Sequence, residues 1–83
     1  MIDRQEALAK AADWAEKAEQ AARTRDWNEE KVGQWASNVH ARTQVAQFRD
    51  AAATAERDRR GAVEMAQMWT AIATAQTQAG GPS

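Results

Sequence analysis

The residues with reactive or metal-binding side chains are few in this sequence, and their spacing brings no set of them together. His40 is the only histidine, and the residues four positions to either side of it, Ala36 and Gln44, offer no second ligand. The chain has no cysteine and no Glu-x-x-His motif, which are the ligands and the spacing that helical metal sites use. We therefore predict no metal site and no cofactor.

The adjacent carboxylates Glu29 and Glu30 are the best candidates for acid–base catalysis. Catalytic carboxylates need a cleft that shifts their pKa, whereas adjacent residues on a helix point apart. Acidic residues in the first turn of a helix also interact favourably with the helix dipole, which explains the pair without chemistry. Ser37 has no recognisable His and Asp partners, and the sequence has no glycine-rich phosphate loop. We therefore predict that the protein is not an enzyme.

Residues 29–50 contain the one pattern that suggests nucleic-acid binding. Residues 29–36 fit the first helix of a helix-turn-helix motif, 37–40 the turn and 41–49 the recognition helix. The last segment has four side chains that donate hydrogen bonds to bases or phosphates: Arg42, Gln44, Gln47 and Arg49. The turn, however, is longer than the usual one and lacks a glycine, and the net charge of the chain is −1. A small DNA-binding regulator is therefore the alternative hypothesis, not the leading one.

The apolar residues of this chain are mostly small. It has 21 alanines but only 15 larger apolar residues, of which four are tryptophan. A monomer of 83 residues buries about 60–65% of its unfolded surface, so this composition predicts a thin core. Small domains compensate with disulfides, metals or self-association, and the first two require ligands or cysteines that this sequence lacks. Self-association as a homodimer is the remaining route.

Charge and hydropathy describe a chain without membrane-targeting features. The net charge of −1 gives no overall field that would attract nucleic acid or an anionic membrane. Basic residues outnumber acidic ones in residues 32–60, and residues 61–83 contain a single charge, Glu64. No segment resembles a signal peptide or approaches the roughly 18 apolar residues of a membrane span. We expect a cytoplasmic protein without membrane contact, and the abundance of Ala, Arg and Trp suggests a GC-rich bacterial genome.

The abundance of strong helix formers predicts an all-α fold. Alanine, glutamate, glutamine, lysine and arginine favour helix, and no Asn-Gly or Asp-Gly hairpin turn is present. We predict one helical domain over residues 1–79, with helices over 3–24, 27–59 and 61–78, and a disordered tail over 80–83. The chain would form an antiparallel helical hairpin or a three-helix arrangement, completed into a bundle by dimerisation.

Local patterns set these helix boundaries. Asp3 begins a capping-box pattern at the start of the first helix, and Asp26 begins a second one after a short turn. In the second predicted helix, the apolar residues before Asn38 lie on one face and those after it lie on another. Either the chain breaks near Asn38 or this helix has partners on two sides. At Gly61 one helix could continue, but glycine costs a helix about 1 kcal/mol, and we favour a break or kink.

The first helix has a broad apolar stripe that predicts the self-association surface. Its members recur with helical spacing and occupy about 140° of the helix surface. Because most of them are alanines, a partner helix can approach closely, and tryptophans fill the space that remains. The predicted self-association residues are Leu8, Ala11, Trp14, Ala15, Ala18, Ala22, Trp35 and Trp69. The leading hypothesis is a self-associating helical module for protein–protein interaction or regulation, whose further partner would be another protein.

Overall fold

The protein folds as two long antiparallel helices joined by a short turn. In the computed structural model, which describes residues 2–79, helix α1 spans Arg4–Trp35 and helix α2 spans Arg42–Ala79. A single turn of 3₁₀-helix, Val39–Ala41, precedes α2, and the described residues contain no strand. The all-α prediction is confirmed, as the hairpin rather than the three-helix arrangement. The tail predicted over 80–83 lies outside the described residues.

Two side chains cap helix starts: Asp3 caps α1, and Asn38 caps the 3₁₀ turn. The carboxylate of Asp3 accepts a hydrogen bond from the backbone N–H of Glu6 at 2.8 Å, as the capping pattern predicts. Asn38 is extended (φ −89°, ψ 107°), and its Oδ1 accepts a hydrogen bond from the N–H of His40 at 2.9 Å. Of the two alternatives at this position, the structure shows the break near Asn38, and the helix predicted over 27–59 is interrupted there. The chain reverses there without a positive φ at any described residue.

The helix boundary predicted between Thr24 and Trp27 is wrong, because α1 runs through it. The carboxylate of Asp26, expected to cap a new helix, instead accepts hydrogen bonds from the Arg25 guanidinium at 2.9 and 3.0 Å. The Nδ2 of Asn28 donates to the Thr24 carbonyl at 2.8 Å, one helical turn back. These polar side chains are satisfied within a continuous helix. Packing of α1 against α2 on both sides of the segment overrides the local capping signal.

The break predicted at Gly61 is also wrong, and the predicted second and third helices are largely one helix. Gly61 lies within α2 and has no positive φ. Ala55 and Ala62, on either side of it in the sequence, are both buried against α1. Their burial compensates the roughly 1 kcal/mol that glycine costs a helix interior, so nothing in the packing favours a kink.

A seven-residue repeat forms the interface between the two helices, which we call the seam. Buried and half-buried residues recur at alternating spacings of three and four, the pattern of a coiled coil. In α1 the seam residues are Ala7, Ala11, Trp14, Ala18, Ala21, Arg25, Asn28 and Val32. In α2 they are Val45, Phe48, Ala52, Ala55, Arg59, Ala62, Ala66, Trp69, Ala73 and Gln76. Among the described residues, eight of the nine buried apolar side chains are alanine, and no large side chain is fully buried.

The hairpin has the shape of a thin rod. Its extents are 68 × 15 × 12 Å, and its radius of gyration is 18.7 Å. A compact chain of this length has a radius of gyration of about 12 Å. The accessible surface of 6188 Å² likewise exceeds the roughly 4,900 Å² of a compact 9.1-kDa protein. Each helix has one neighbour, so both flanks of the seam face outwards.

Candidate interaction faces

The predicted self-association residues do not form one surface. Ala11 and Ala18 belong to the seam, and α2 covers both of them. Leu8, Ala15 and Ala22 each follow a seam position of α1 by one residue and therefore lie along one flank of it. Trp14 and Trp69 are also seam residues, but lysines of the opposite flank lie over their rings. Trp35 lines a cavity on that same flank. The seam thus divides the predicted stripe between two outward faces.

The first of these, the groove face, holds a shallow groove of about 700 Å³ in the half of the rod nearest the chain termini. The groove is lined by Ala15, Ala18, Val63, Ala66, Gln67, Thr70, Ala71, Thr74 and Ala75. None of these side chains is charged, and residues 65–83 contain no charged residue at all. Helix surfaces that face water normally carry charged residues, so this half of the face has the composition of a covered surface.

Towards the turn, the same face becomes charged. A depression of about 340 Å³ is lined by Glu29, Val32, Arg49, Ala52, Ala53 and Glu56. The next, of about 280 Å³, is lined by Ala36, Asn38, Arg42, Val45, Ala46 and Arg49. Within the part of the chain that the structure describes, neither Glu29 nor Arg49 has an ion-pair partner. The groove face therefore has an uncharged half and a half with unpaired charges of both signs.

The second outward face, the aromatic face, has indole rings that lysines of the same hairpin cover. The ammonium of Lys17 lies 4.2 Å from the ring centroid of Trp14. Lys31 lies 5.2 Å from the ring centroid of Trp27, and Lys10 lies 5.4 Å from that of Trp69. These are all three lysines of the chain. Each cation–π contact places a hydrated charge over an aromatic ring, so this face is suited to solvent.

The aromatic face also has the more exposed rings near the turn. Trp27 packs edge-on against Phe48, with ring centroids 5.9 Å apart, but remains 53% exposed. Trp35 is 43% exposed and lines a cavity of about 480 Å³ together with Lys31 and His40. These side chains surround the turn rather than the uncharged half of the rod.

A cluster of charged side chains lies at the middle of the seam, apart from the residues predicted for self-association and for nucleic-acid contact. Nη1 of Arg25 on α1 and Nη2 of Arg59 on α2 each lie 2.6 Å from the Glu56 carboxylate, and Nε of Arg60 lies 3.2 Å from it. Arg25 and Arg59 occupy seam positions that alanine fills elsewhere. That interruption of the seven-residue repeat was the signal available in the sequence.

The charged groups of this cluster shift one another's pKa. The hydrogen bonds from Arg59 and Arg25 hold the pKa of the Glu56 carboxyl far below its usual range. In return, the hydrogen bond to Glu56 raises the pKa of Arg25 and that of Arg59. All three groups therefore stay charged at neutral pH, and the cluster ties α1 to α2 by a bond that alanine packing cannot supply.

The residues predicted to contact nucleic acid do not come together as a helix-turn-helix would require. Arg42 and Arg49 line the groove face, whereas Gln44 lines the cavity beside Trp35 on the aromatic face. The segment before the turn also continues α1 and runs antiparallel to α2, instead of crossing it at 90–120°. The structure therefore divides these residues between the two faces, and DNA binding by this segment stays a prediction. Gln47 lies on α2 but in neither depression.

His40 is exposed at the turn, and its neighbours provide no second metal ligand of the histidine or carboxylate type. Over residues 2–79, no three histidine, aspartate or glutamate side chains are grouped closely enough to hold a metal ion.

Across those same residues, neither helix has an apolar stretch that could cross a membrane. Comparisons of the chain with protein-family models, with curated proteins and with solved structures yield no match.

Proposed function

We propose that the protein is a non-enzymatic helical interaction module that self-associates through its groove face. Two hairpins would pack face to face and form a four-helix bundle. The observation that carries this proposal is the uncharged groove of about 700 Å³ on a rod that fully buries no large side chain within its described part. A second hairpin would supply the layer of apolar side chains that a two-helix rod lacks.

The groove face is favoured over the aromatic face because of its charge. Docking on the aromatic face would require the ammonium groups of Lys10, Lys17 and Lys31 to be moved or dehydrated. The groove presents methyl groups and short polar side chains, which cost little to dehydrate. Close approach of a second helix pair is also easiest where alanine lines the surface.

The area of the groove face is sufficient for a stable dimer. A rod with extents of 68 and 15 Å offers about 1,000 Å² per copy, and about 2,000 Å² in total, when two faces overlap along their whole length. Specific protein–protein interfaces bury about 1,200–2,000 Å² in total. Self-association through this face therefore meets the size requirement.

The test is the mass of the protein in solution, measured by sedimentation equilibrium at micromolar concentration, for the wild type and two variants. Ala15→Glu places a charge in the groove at an exposed position, so the hairpin itself should remain helical. Ala9→Glu makes the same change at an exposed position of α1 outside both faces. We expect a dimer for the wild type and Ala9→Glu, and a monomer for Ala15→Glu.

Two results would contradict the proposal. A wild-type protein that stays monomeric at these concentrations would exclude self-association. A dimeric Ala15→Glu variant would exclude the groove face as the interface. Ala18→Glu is unsuitable, because Ala18 is 8% exposed and lies against α2, so a charge there would disrupt the hairpin and the dimer together.

A further inference from the structure

We infer that the two copies associate with their turns at the same end, related by a two-fold axis parallel to the rod. This inference rests on the self-association proposed above and specifies its geometry. It follows from the uneven distribution of charge along the groove face, from the positions of Glu29 and Arg49, and from the area that each arrangement buries.

The groove face is uncharged near the chain termini and charged near the turn. A pair of hairpins that overlap fully but point in opposite directions would bring these unlike halves together. Arg49 of each copy would then lie against the uncharged groove of the other, beside residues such as Ala71 and Thr74, and Glu29 would lie against the uncharged flank of α1 near Leu8. Burying a charge against methyl groups without a partner is strongly unfavourable, so this arrangement is disfavoured.

The same-end arrangement brings like halves together. A two-fold axis parallel to the rod exchanges left and right, so α1 of one copy lies on α2 of the other. Glu29 on α1 and Arg49 on α2 line the same depression and therefore lie within about one helical turn of each other along the rod. Glu29 of each copy then faces Arg49 of the second copy, and two ion pairs form from charges that have no ion-pair partner within the described hairpin.

A staggered arrangement, in which only the uncharged halves overlap, buries too little surface. It covers about half the length of the rod and so about 1,000 Å² in total, below the range of specific interfaces. It also leaves the apolar residues near the turn, such as Val32 and Ala53, uncovered. Full overlap with the turns together is the arrangement that satisfies both the area and the charges.

The orientation can be measured by distances between spin labels, because the chain has no cysteine of its own. Val39→Cys places a label at the turn, at a residue that is 66% exposed, and Ala9→Cys places one near the chain termini outside both faces. In the same-end dimer, each label lies within about 30 Å of its copy, since packed helices are about 10 Å apart. We expect short distances for both variants, with a dimeric mass confirmed on the labelled samples.

Other outcomes overturn this inference in distinguishable ways. If the Val39 labels of a dimer lie about 60 Å apart, its two hairpins point in opposite directions. That result rejects the orientation but keeps self-association. A short distance at Val39 with a long one at Ala9 indicates exchange of helices between chains. A monomeric mass rejects the proposed function itself.

Charge reversal provides an independent test of the same pair. Glu29→Arg and Arg49→Glu should each raise the dissociation constant of the dimer about tenfold. Either change turns both symmetry-related Glu29–Arg49 contacts into contacts between like charges. The double variant should restore the dissociation constant to near its wild-type value. Single variants with unchanged dissociation constants, or a double variant no better than the singles, would reject the Glu29–Arg49 contact.

Discussion

Arg25 and Glu56 bridge the two helices at the middle of the rod, with Nη1 of Arg25 2.6 Å from Oε2 of Glu56. The residues around them in the seam are mostly alanines, which pack almost equally well when one helix slides past the other by a heptad. A charged residue at a seam position fixes the register of a coiled coil, because a shifted alignment leaves that charge without its partner. This ion pair therefore sets which residues of α1 meet which residues of α2.

The stability of the hairpin should fall in acid because of Glu56. Its pKa in the folded protein is far below the value of about 4.3 that it has in an unfolded chain. The stabilisation is therefore fully present above that unfolded value, and it is lost as the pH falls through the folded one. We expect the melting temperature of the wild type, followed by circular dichroism, to decrease between pH 5 and pH 2.

Glu56→Gln isolates this contribution. The variant should melt at a lower temperature than the wild type at pH 7, and its melting temperature should change less with pH. Glu19→Gln is the matched control, since Glu19 lies 3.7 Å from Arg23 in an ion pair that is exposed on both sides. An equal loss at pH 7 for both variants would contradict a special role for Glu56.

Gly61→Ala should stabilise the protein. A Cβ at this position meets no atom within 4 Å, and Gly61 has no positive φ that would strain a side chain. Alanine should therefore add about 0.5–1 kcal/mol to the free energy of unfolding, measured by urea denaturation. Gly33→Ala, in the equally open last turn of α1, should give a smaller gain, because glycine costs less at a helix end than in a helix interior. A loss of stability for Gly61→Ala alone would mean that α2 is not continuous there.

Larger side chains in the seam should push the helices apart. Ala55 is 4% exposed, so Ala55→Leu inserts atoms where α1 leaves no space and should cost about 1–3 kcal/mol of unfolding free energy. Ala51→Leu makes the same substitution one turn away, at an exposed position, and should be nearly neutral. Urea denaturation of the two variants compares them directly. Equal stabilities would contradict the close alanine packing of the seam.

The tryptophans should differ in their accessibility to a neutral quencher. Trp27 is 53% exposed, whereas the indole nitrogen of Trp69 is buried and Lys10 lies over its ring. In variants that retain one tryptophan and carry phenylalanine at the other three positions, acrylamide should quench Trp27 fluorescence more strongly than Trp69 fluorescence. Circular dichroism must first show that each variant keeps its helicity. Equal quenching would contradict the two environments.

Local signals in the sequence were sufficient where no tertiary contact competes with them. The helical class and the cap at Asp3 depend on residues close in the chain, and the structure confirms them. Near Asn38 the sequence left a break as one of two alternatives, and the structure shows the break. The capping pattern at Asp26 and the glycine at position 61 predicted breaks that are absent, because packing along the seam outweighs about 1 kcal/mol of local preference.

The candidate interaction residues were only partly predictable for a related reason. The apolar stripe on α1 was recognised, but its centre is occupied by α2, and this fact depends on which residues of the two helices meet. Arg25 and Glu56 are 31 positions apart in the sequence, so no local pattern connects them. Only the complete seven-residue repeat of both helices places these two side chains together.

The alanine lining of the groove has a consequence for how fast and how readily a second chain can bind. Alanine has no side-chain rotamers, so Ala15, Ala66, Ala71 and Ala75 lose no side-chain conformational entropy when another surface covers them. The alanine walls of the groove would keep their shape on contact, like those of a preorganised ligand site. Association through it would require no rearrangement of these walls, and its heat capacity change would be negative because apolar surface leaves water.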